Sequence, residues 1–354
     1  MSSADFITFK GIDGEKLEEI LKGISKIKVA LIGDVCLDVY WRADMTKSEL
    51  SRETPHFPLP VVEERMSPGG GGNAAANIAA LKPAETHVLS VAGNDWRGKA
   101  LIQEFINRGI DTRGIIISNK IVTNAYCKPI RKGISDLEYE DPRIDFANYD
   151  VLPPEEEERL LAGLEQVAGK IDVLCVSDQL AYGCITQRVR EKIIELGRQG
   201  LTVVVDSRDR IAMYTDVILK PNEVEGFRAA YGNNALKKVA FEELFAAARL
   251  LSQRNNSRVC MTLGPKGCIY VDKKKATYVP SYAVQAPIDT CGAGDTFLAA
   301  FSCALAAGAE GFEAASFANM AADVTIKKVG MTGTAAPEEI RARYCEIRNN
   351  NDLI

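Results

Sequence analysis

Histidine and tryptophan are nearly missing from this chain, with two of each among 354 residues. With only His56 and His87 available, a histidine-rich metal centre or a Ser-His-Asp triad has too few parts. An excess of positive charge is missing too. The 43 Lys and Arg residues stand against 48 Asp and Glu, a net charge of −5, whereas a general nucleic-acid binder carries a basic face. That balance still permits a local cationic pocket for a small phosphorylated ligand. The nine cysteines form no CxxC pair and are odd in number, which suggests neither a zinc cluster nor a disulfide framework. No apolar run approaches the ~20 residues that span a bilayer. The N-terminal MSSADFITFKGIDGEKLEEI is polar and acidic, where a secretion signal is basic and then apolar. A cytoplasmic protein with neither membrane nor nucleic-acid partner is expected.

What is present is ample core material, 46% hydrophobic against 26% charged, arranged as strand-length apolar runs alternating with helical periods. Lys28–Ile32, Thr86–Ala92, Val173–Val176, Leu201–Val205 and Ser257–Leu263 read as strands. Ala74–Leu81, Trp96–Arg108, Thr186–Arg198 and Phe241–Gln253 read as helices, and the last third is helical over Gly294–Ala307, Phe312–Lys327 and Pro337–Arg348. This alternation predicts a single α/β domain over 1–354, with a central, mostly parallel sheet and helices on both faces. Two β-prone segments, 39–62 and 119–150, break the rhythm and read as insertions that form a small lid. A lone small sheet is marginal in water, so a homodimer through the lid is expected, with Tyr126, Ile130 and Phe57 near the contact.

The strongest motif is APIDTCGAGDTFL at 286–298. Gly292, Ala293 and Gly294 let a backbone approach a ligand closely, and they open a helix whose bare N–H groups suit an anion. Asp295 lies in that first turn. Beside a bound phosphate a carboxylate repels, so it makes sense as a general base that takes a proton from an attacking hydroxyl. The plain alternative is an ordinary helix start, which the full string with Asp289, Thr290 and Thr296 disfavours. Upstream, GDVCLD at 33–38 and PGGGGNAAAN at 68–77 bring Asp34, Asp38, Gly70, Gly71 and Asn73 forward as groups to grip polyol hydroxyls. Equally, the glycines could be only a turn and Asp38 a solvated loop residue. Gly69, Gly71 and Ala74 also fit a dinucleotide fingerprint, which keeps an NAD-linked oxidoreductase open, although that motif belongs directly after the first strand.

Further along, Lys220-Pro221-Asn222-Glu223-Val224-Glu225 opens a helix. Asn222 and Glu225 either hold Mg²⁺ through water near phosphates or form a capping box. Thr262-Leu263-Gly264-Pro265-Lys266-Gly267 is a strand end with a tight turn, not a Walker loop. It reads as a hairpin turn over which a nucleotide could lie. Asn319 is either a helix-surface amide or an adenine-side contact.

Taken in this order, the motifs resemble the PfkB/ribokinase family of carbohydrate kinases over nearly the whole chain. Within it the sequence is most similar to the kinase domain of bacterial D-glycero-D-manno-heptose-7-phosphate kinases, through GDVCLDVYW, the 52–79 stretch, VSDQLAYG at 176–183 and VVVDSRDR at 203–210. That group has a lysine in the last motif where Ser207-Arg208 stands here. The resemblance implies a ribokinase-like three-layer fold with a β lid, and ATP-dependent phosphorylation of a sugar or sugar phosphate. It implies Asp295 as catalytic base with Gly292, Ala293 and Gly294 as anion hole. Asp34, Asp38, Gly70, Gly71 and Asn73 would bind the sugar. Lys220, Asn222, Thr262, Gly264, Gly267 and Asn319 would line ATP. Glu225 would hold Mg²⁺ through water, and Asp289 would lie by a monovalent cation such as K⁺. The nucleotidyltransferase half of the two-function versions is expected to be absent. The rival readings are another PfkB-type kinase (ribose, fructose or nucleoside acceptor), the oxidoreductase, and a non-catalytic sugar-binding protein, against which the intact Asp295 speaks.

Overall fold

The computed structural model describes residues 6–135, 137–232, 239–273 and 275–350. Strand periodicity explains its layers. In Lys28–Gly33, Val29 and Leu31 point into one hydrophobic core while Ala30 and Ile32 point into another. A strand buried on both faces has to be apolar throughout, and so it reads as a continuous run. The first core is closed by helices Gly14–Ile24, Gly71–Ala80, Trp96–Asn107, Ala293–Ala306 and Gly311–Ile326. The second is closed by Pro154–Ala168, Gln187–Arg198 and Phe241–Asn255.

Between them lies a ten-stranded sheet. Lys28–Gly33 sits between Val173–Asp178 and Glu85–Gly93, parallel to both. Asp111–Ser118 extends one side, and Thr202–Ser207, Ile218–Leu219 and Arg258–Thr262 extend the other, all parallel. Among the described residues of this sheet, only the hairpin pairs Arg258–Thr262 with Cys268–Asp272, and Cys268–Asp272 with Lys275–Val279, are antiparallel. Parallel strands align their carboxyl ends, which is where open α/β sheets place ligands.

The two segments that break the rhythm join in a second sheet of five strands. Val35–Asp44 pairs antiparallel with Val61–Gly70 and parallel with Ala125–Lys132. The short strands Glu138–Glu140 and Ile144–Phe146 add to Ala125–Lys132. The first of these segments is wider than 39–62, and its return strand absorbs Pro68, Gly69 and Gly70, which the sequence suggested as a loop. Gly69 and Gly70 pair with Cys36 and Val35, and the helix then begins at Gly71 rather than Ala74. Gly70 turns the chain from strand to helix at φ +54, a conformation side chains resist. The dinucleotide fingerprint fails here. Lys28–Gly33 runs into another strand at Val35, and Gly69 lies inside a ladder instead of a phosphate turn.

Candidate active site

Three strand ends and the small sheet converge on one cavity of about 230 Å³. Asp38, Asp295 and Asn73 line it together with Lys128, Arg143 and Arg208. Cys36, Tyr126, Gln179, Leu180 and Cys291 complete the wall. No helix among the described residues is long and apolar enough to cross a membrane.

Asp295 occupies the first turn of Ala293–Ala306, behind Gly292 at φ +79. Gly292 is the N-cap and offers no side-chain acceptor, so the helix head is left for a ligand. Ala293, expected in an anion hole, instead turns its N–H to the Thr290 carbonyl at 3.2 Å. Removal of the Asp295 carboxyl from water pushes its pKa up to about 7. Asn73 opposes this by donating from Nδ2 to Oδ2 at 2.8 Å. Asp206 and Asp38 push the value upward, and Lys220 pulls it down. A carboxyl that titrates near neutrality is suited to general-base work.

Asp38 is 6% exposed and sits 3.8 Å from Lys128 Nζ. Burial raises its pKa against the pull of Lys128, Arg143 and Arg65. Lys128 also donates to Tyr40 Oη at 3.1 Å. Arg143 lies over the Tyr126 ring at 4.3 Å and is gripped by both oxygens of Asp145, at 2.6 and 2.7 Å. Tyr126, expected near a subunit contact, therefore faces the cavity. Asp34 lines the cavity as well, but its oxygens accept N–H groups of Gln179, Leu180 and Cys184 at 2.8–2.9 Å. It shapes the loop that carries Gln179 and Leu180, and burial pushes its pKa up to about 6. The carbonyl of Asp34 accepts from Gly71 N–H at 2.9 Å, which closes the junction of the two sheets.

On the other side of Asp295 lies Lys220, 3% exposed, with its ammonium 3.0 Å from Asp206. Burial works against the charge, and Asp206, Glu225 and Asp295 outweigh it, so the ammonium is held. Asn222 and Glu225 form the capping box: Asn222 Oδ1 accepts from Val224 and Glu225 N–H, and Glu225 Oε2 accepts from Asn222 N–H, all at 2.9 Å. Burial, with Asp206 nearby, raises the Glu225 pKa. Thr262 bridges to Asn222, and the hairpin turns through Gly264 and Gly267, both at positive φ. Asn319 donates weakly to the carbonyls of Val279 and Pro280, at 3.4 and 3.3 Å. Asp289 accepts N–H groups of Cys291 at 3.0 Å and Gly330 at 3.1 Å, tying two loops together.

The expectations from sequence passed over Asp206, Lys128, Arg143 and Asp178. Asp178 binds Arg210, Ser207 and Tyr214 at the base of the loop carrying Arg208. Its signal was a strand-end aspartate in VSDQ facing the basic run SRDR. Lys128 and Arg143 gave none, since their meeting depends on the register of the small sheet.

Comparison with known proteins identifies the family and the fold. The Bifunctional protein HldE of Geotalea uraniireducens is 30% identical over 351 residues, covering 96% of this chain and 68% of that protein. The HldE of Geobacter sulfurreducens is 30% identical over 341 residues, 93% and 65% of the two chains. This chain thus spans about two thirds of those relatives' length. Phosphofructokinase-2 from Escherichia coli, in complex with substrates and products, superposes with a TM-score of 0.70 at 21% identity, covering 91% of this chain and all of that one. Ribokinase from Thermotoga maritima gives 0.64 at 23%, covering 90% and 99%. The fold is therefore ribokinase-like. The model of the pfkB family carbohydrate kinases matches residues 26–339, and the chain belongs to that family and is a carbohydrate kinase.

Proposed function

We propose that this kinase transfers a phosphoryl group from ATP to a hydroxyl of a phosphorylated sugar, a heptose 7-phosphate or a close analogue. The observation that carries the reading is that one cavity is lined both by the carboxylates of Asp295 and Asp38 and by the cations Lys128, Arg143 and Arg208. Carboxylates accept from hydroxyls, while guanidinium and ammonium groups suit a phosphate. Relatives named HldE, similar over most of this chain, support the same substrate.

Asp38 and Asn73 hold the acceptor, and Asp295 takes the proton of its attacking hydroxyl. The Gly294 and Asp295 N–H groups at the head of Ala293–Ala306 and the Lys220 ammonium meet the charge on the transferred group. ATP, when bound, would supply the phosphoryl group, and an accompanying Mg²⁺ would supply positive charge to neutralise its phosphates. Among the described residues no three His, Cys, Asp or Glu side chains could hold a metal by themselves. Glu225 beside Asp206 fits the other arrangement, a Mg²⁺ that keeps its waters and leans on one or two carboxylates. Thr262, Gly264, Gly267 and Asn319 would border the nucleotide, and Asp289, which ties Cys291 to Gly330, would steady the turn beside a monovalent cation such as K⁺. The five-stranded sheet serves as a lid that excludes water, an acceptor competing with the sugar. The lid region exposes Phe57, Val61, Val62 and Tyr139, which a second copy would cover.

A coupled assay of ADP release over sugars and sugar phosphates tests the reading. Turnover is expected with heptose 7-phosphate and not with the unphosphorylated heptose. Preference for a free sugar or a nucleoside would overturn the phosphorylated acceptor while leaving the family intact.

A further inference from the structure

The Asp295 carboxylate is one end of a run of side-chain hydrogen bonds whose polarity is set at the far end. Asn77 Nδ2 lies 3.0 Å from the carbonyl of Asn73 and 3.4 Å from that of Gly333. Backbone carbonyls only accept, so the amide nitrogen must point there. Asn77 Oδ1 then faces Thr296, whose hydroxyl donates to it at 2.9 Å, with the Gly292 carbonyl a longer competing acceptor at 3.2 Å. Held this way, Asn77 also presents Nδ2 to Asn73 Oδ1 at 3.3 Å. Asn73 has only one orientation left, with its own Nδ2 toward Asp295 Oδ2 at 2.8 Å. Asn73 and Asn77 are 2% exposed and Thr296 is 1%, so bulk water does not reach in to replace a missing member. A Cβ at Gly292 would lie 2.6 Å from Asn73 Nδ2, so the phosphate turn is shaped around this amide as well.

We propose that Asn77 and Thr296 are positioning residues that lock the Asn73 amide with its N–H toward Asp295. This rests on the reading of Asp295 as the base. Were Asn73 free to flip, it would offer an oxygen to a carboxylate, and the ionised form of Asp295 would lose its donor. The groups facing Asp295 are Asp206 and Lys220 from the strand ends, Asp38 and Cys36 from Val35–Asp44, and Cys291 from the turn. None belongs to the relay, so changes within it leave them in place.

The test is a carboxyl-carbon NMR titration of Asp295 in the full chain, paired with the pH profile of kcat. Asn77→Leu should raise the Asp295 titration and the acidic limb of kcat together by about one pH unit, the effect of one lost hydrogen bond to a carboxylate. At pH 7 kcat should fall roughly fivefold and recover above pH 9, with KM for ATP unchanged. Thr296→Val should move both in the same direction by less, and Thr296→Ser should restore the wild-type profile. A lowered kcat with an unmoved limb would mean a merely structural role and overturn the proposal, as would no change in either. Should Asn77→Leu fail to fold, the wild-type protein decides: the Asn73 side-chain amide protons should exchange slowly and shift in step with Asp295. Amide signals indifferent to that titration would overturn the relay. If the NMR result holds while no acceptor is turned over, the relay stands and the kinase substrate reading fails.

Discussion

Replacing Asp295 by asparagine should make the protein more stable at the pH where it makes it inactive. The carboxyl's pKa rises from an ordinary 3.8 to about 7 in the folded state. Below the ordinary value both states are protonated, and the group makes no difference between them. As pH rises toward 7 the unfolded chain releases the proton that the folded chain keeps out of water, so stability is lost through that window. About three units at 1.36 kcal/mol each is about 4 kcal/mol. Asp295 is open to the cavity on one side, and water there reduces the figure to roughly 2–4 kcal/mol. Asparagine keeps an oxygen to accept from Asn73, so it removes the charge without orphaning that amide. Urea unfolding of wild type and Asp295→Asn at pH 4.5, 6 and 8 should show a gap that opens as pH rises and favours the variant. A gap independent of pH, or a variant less stable at pH 8, would refute the reasoning.

Two further outcomes follow from the cavity and one from the lid. Asp38→Ala should weaken sugar binding far more than ATP binding, by about 1–3 kcal/mol for each hydroxyl left unpaired; equal losses by calorimetry would make Asp38 structural. Arg208→Ala should raise KM for a phosphorylated acceptor about tenfold, as expected for losing one charge-assisted contact, and leave KM for ATP alone. Comparable effects on both substrates would move Arg208 off the acceptor. Sedimentation should find a homodimer whose contact is lost on Phe57→Asp, and a monomer at tens of micromolar protein would refute pairing through the lid.

The layered fold was legible because buried parallel strands such as Val173–Asp178 must be apolar on both faces, and helices such as Gln187–Arg198 must not. The predicted bounds moved by one to three residues at most of these elements. The second sheet was legible only as two irregular segments. Its register, with Asp38 opposite Tyr126 and Tyr40 opposite Lys128, is a long-range pairing that local pattern does not encode. Two motifs carried more than one meaning. Asn222 and Glu225 do form a capping box, and that same box aims a carboxylate toward Lys220 and Asp206. Asp34 stood out as a polar residue beside Asp38, yet its neighbours are backbone N–H groups brought from residues 179–184, a contact that spacing within GDVCLD could not reveal. Asn77 was hidden for the opposite reason, since an asparagine among alanines reads as ordinary helix.

The most direct measurement is steady-state ADP release with heptose 7-phosphate by wild type and by Asp295→Asn. Wild type should turn over, and the variant should be slower by roughly 10²–10⁴-fold, the contribution of a positioned base, while binding ATP as before. Near-wild-type turnover in the variant, or a wild-type enzyme that ignores every phosphorylated sugar, would contradict the account.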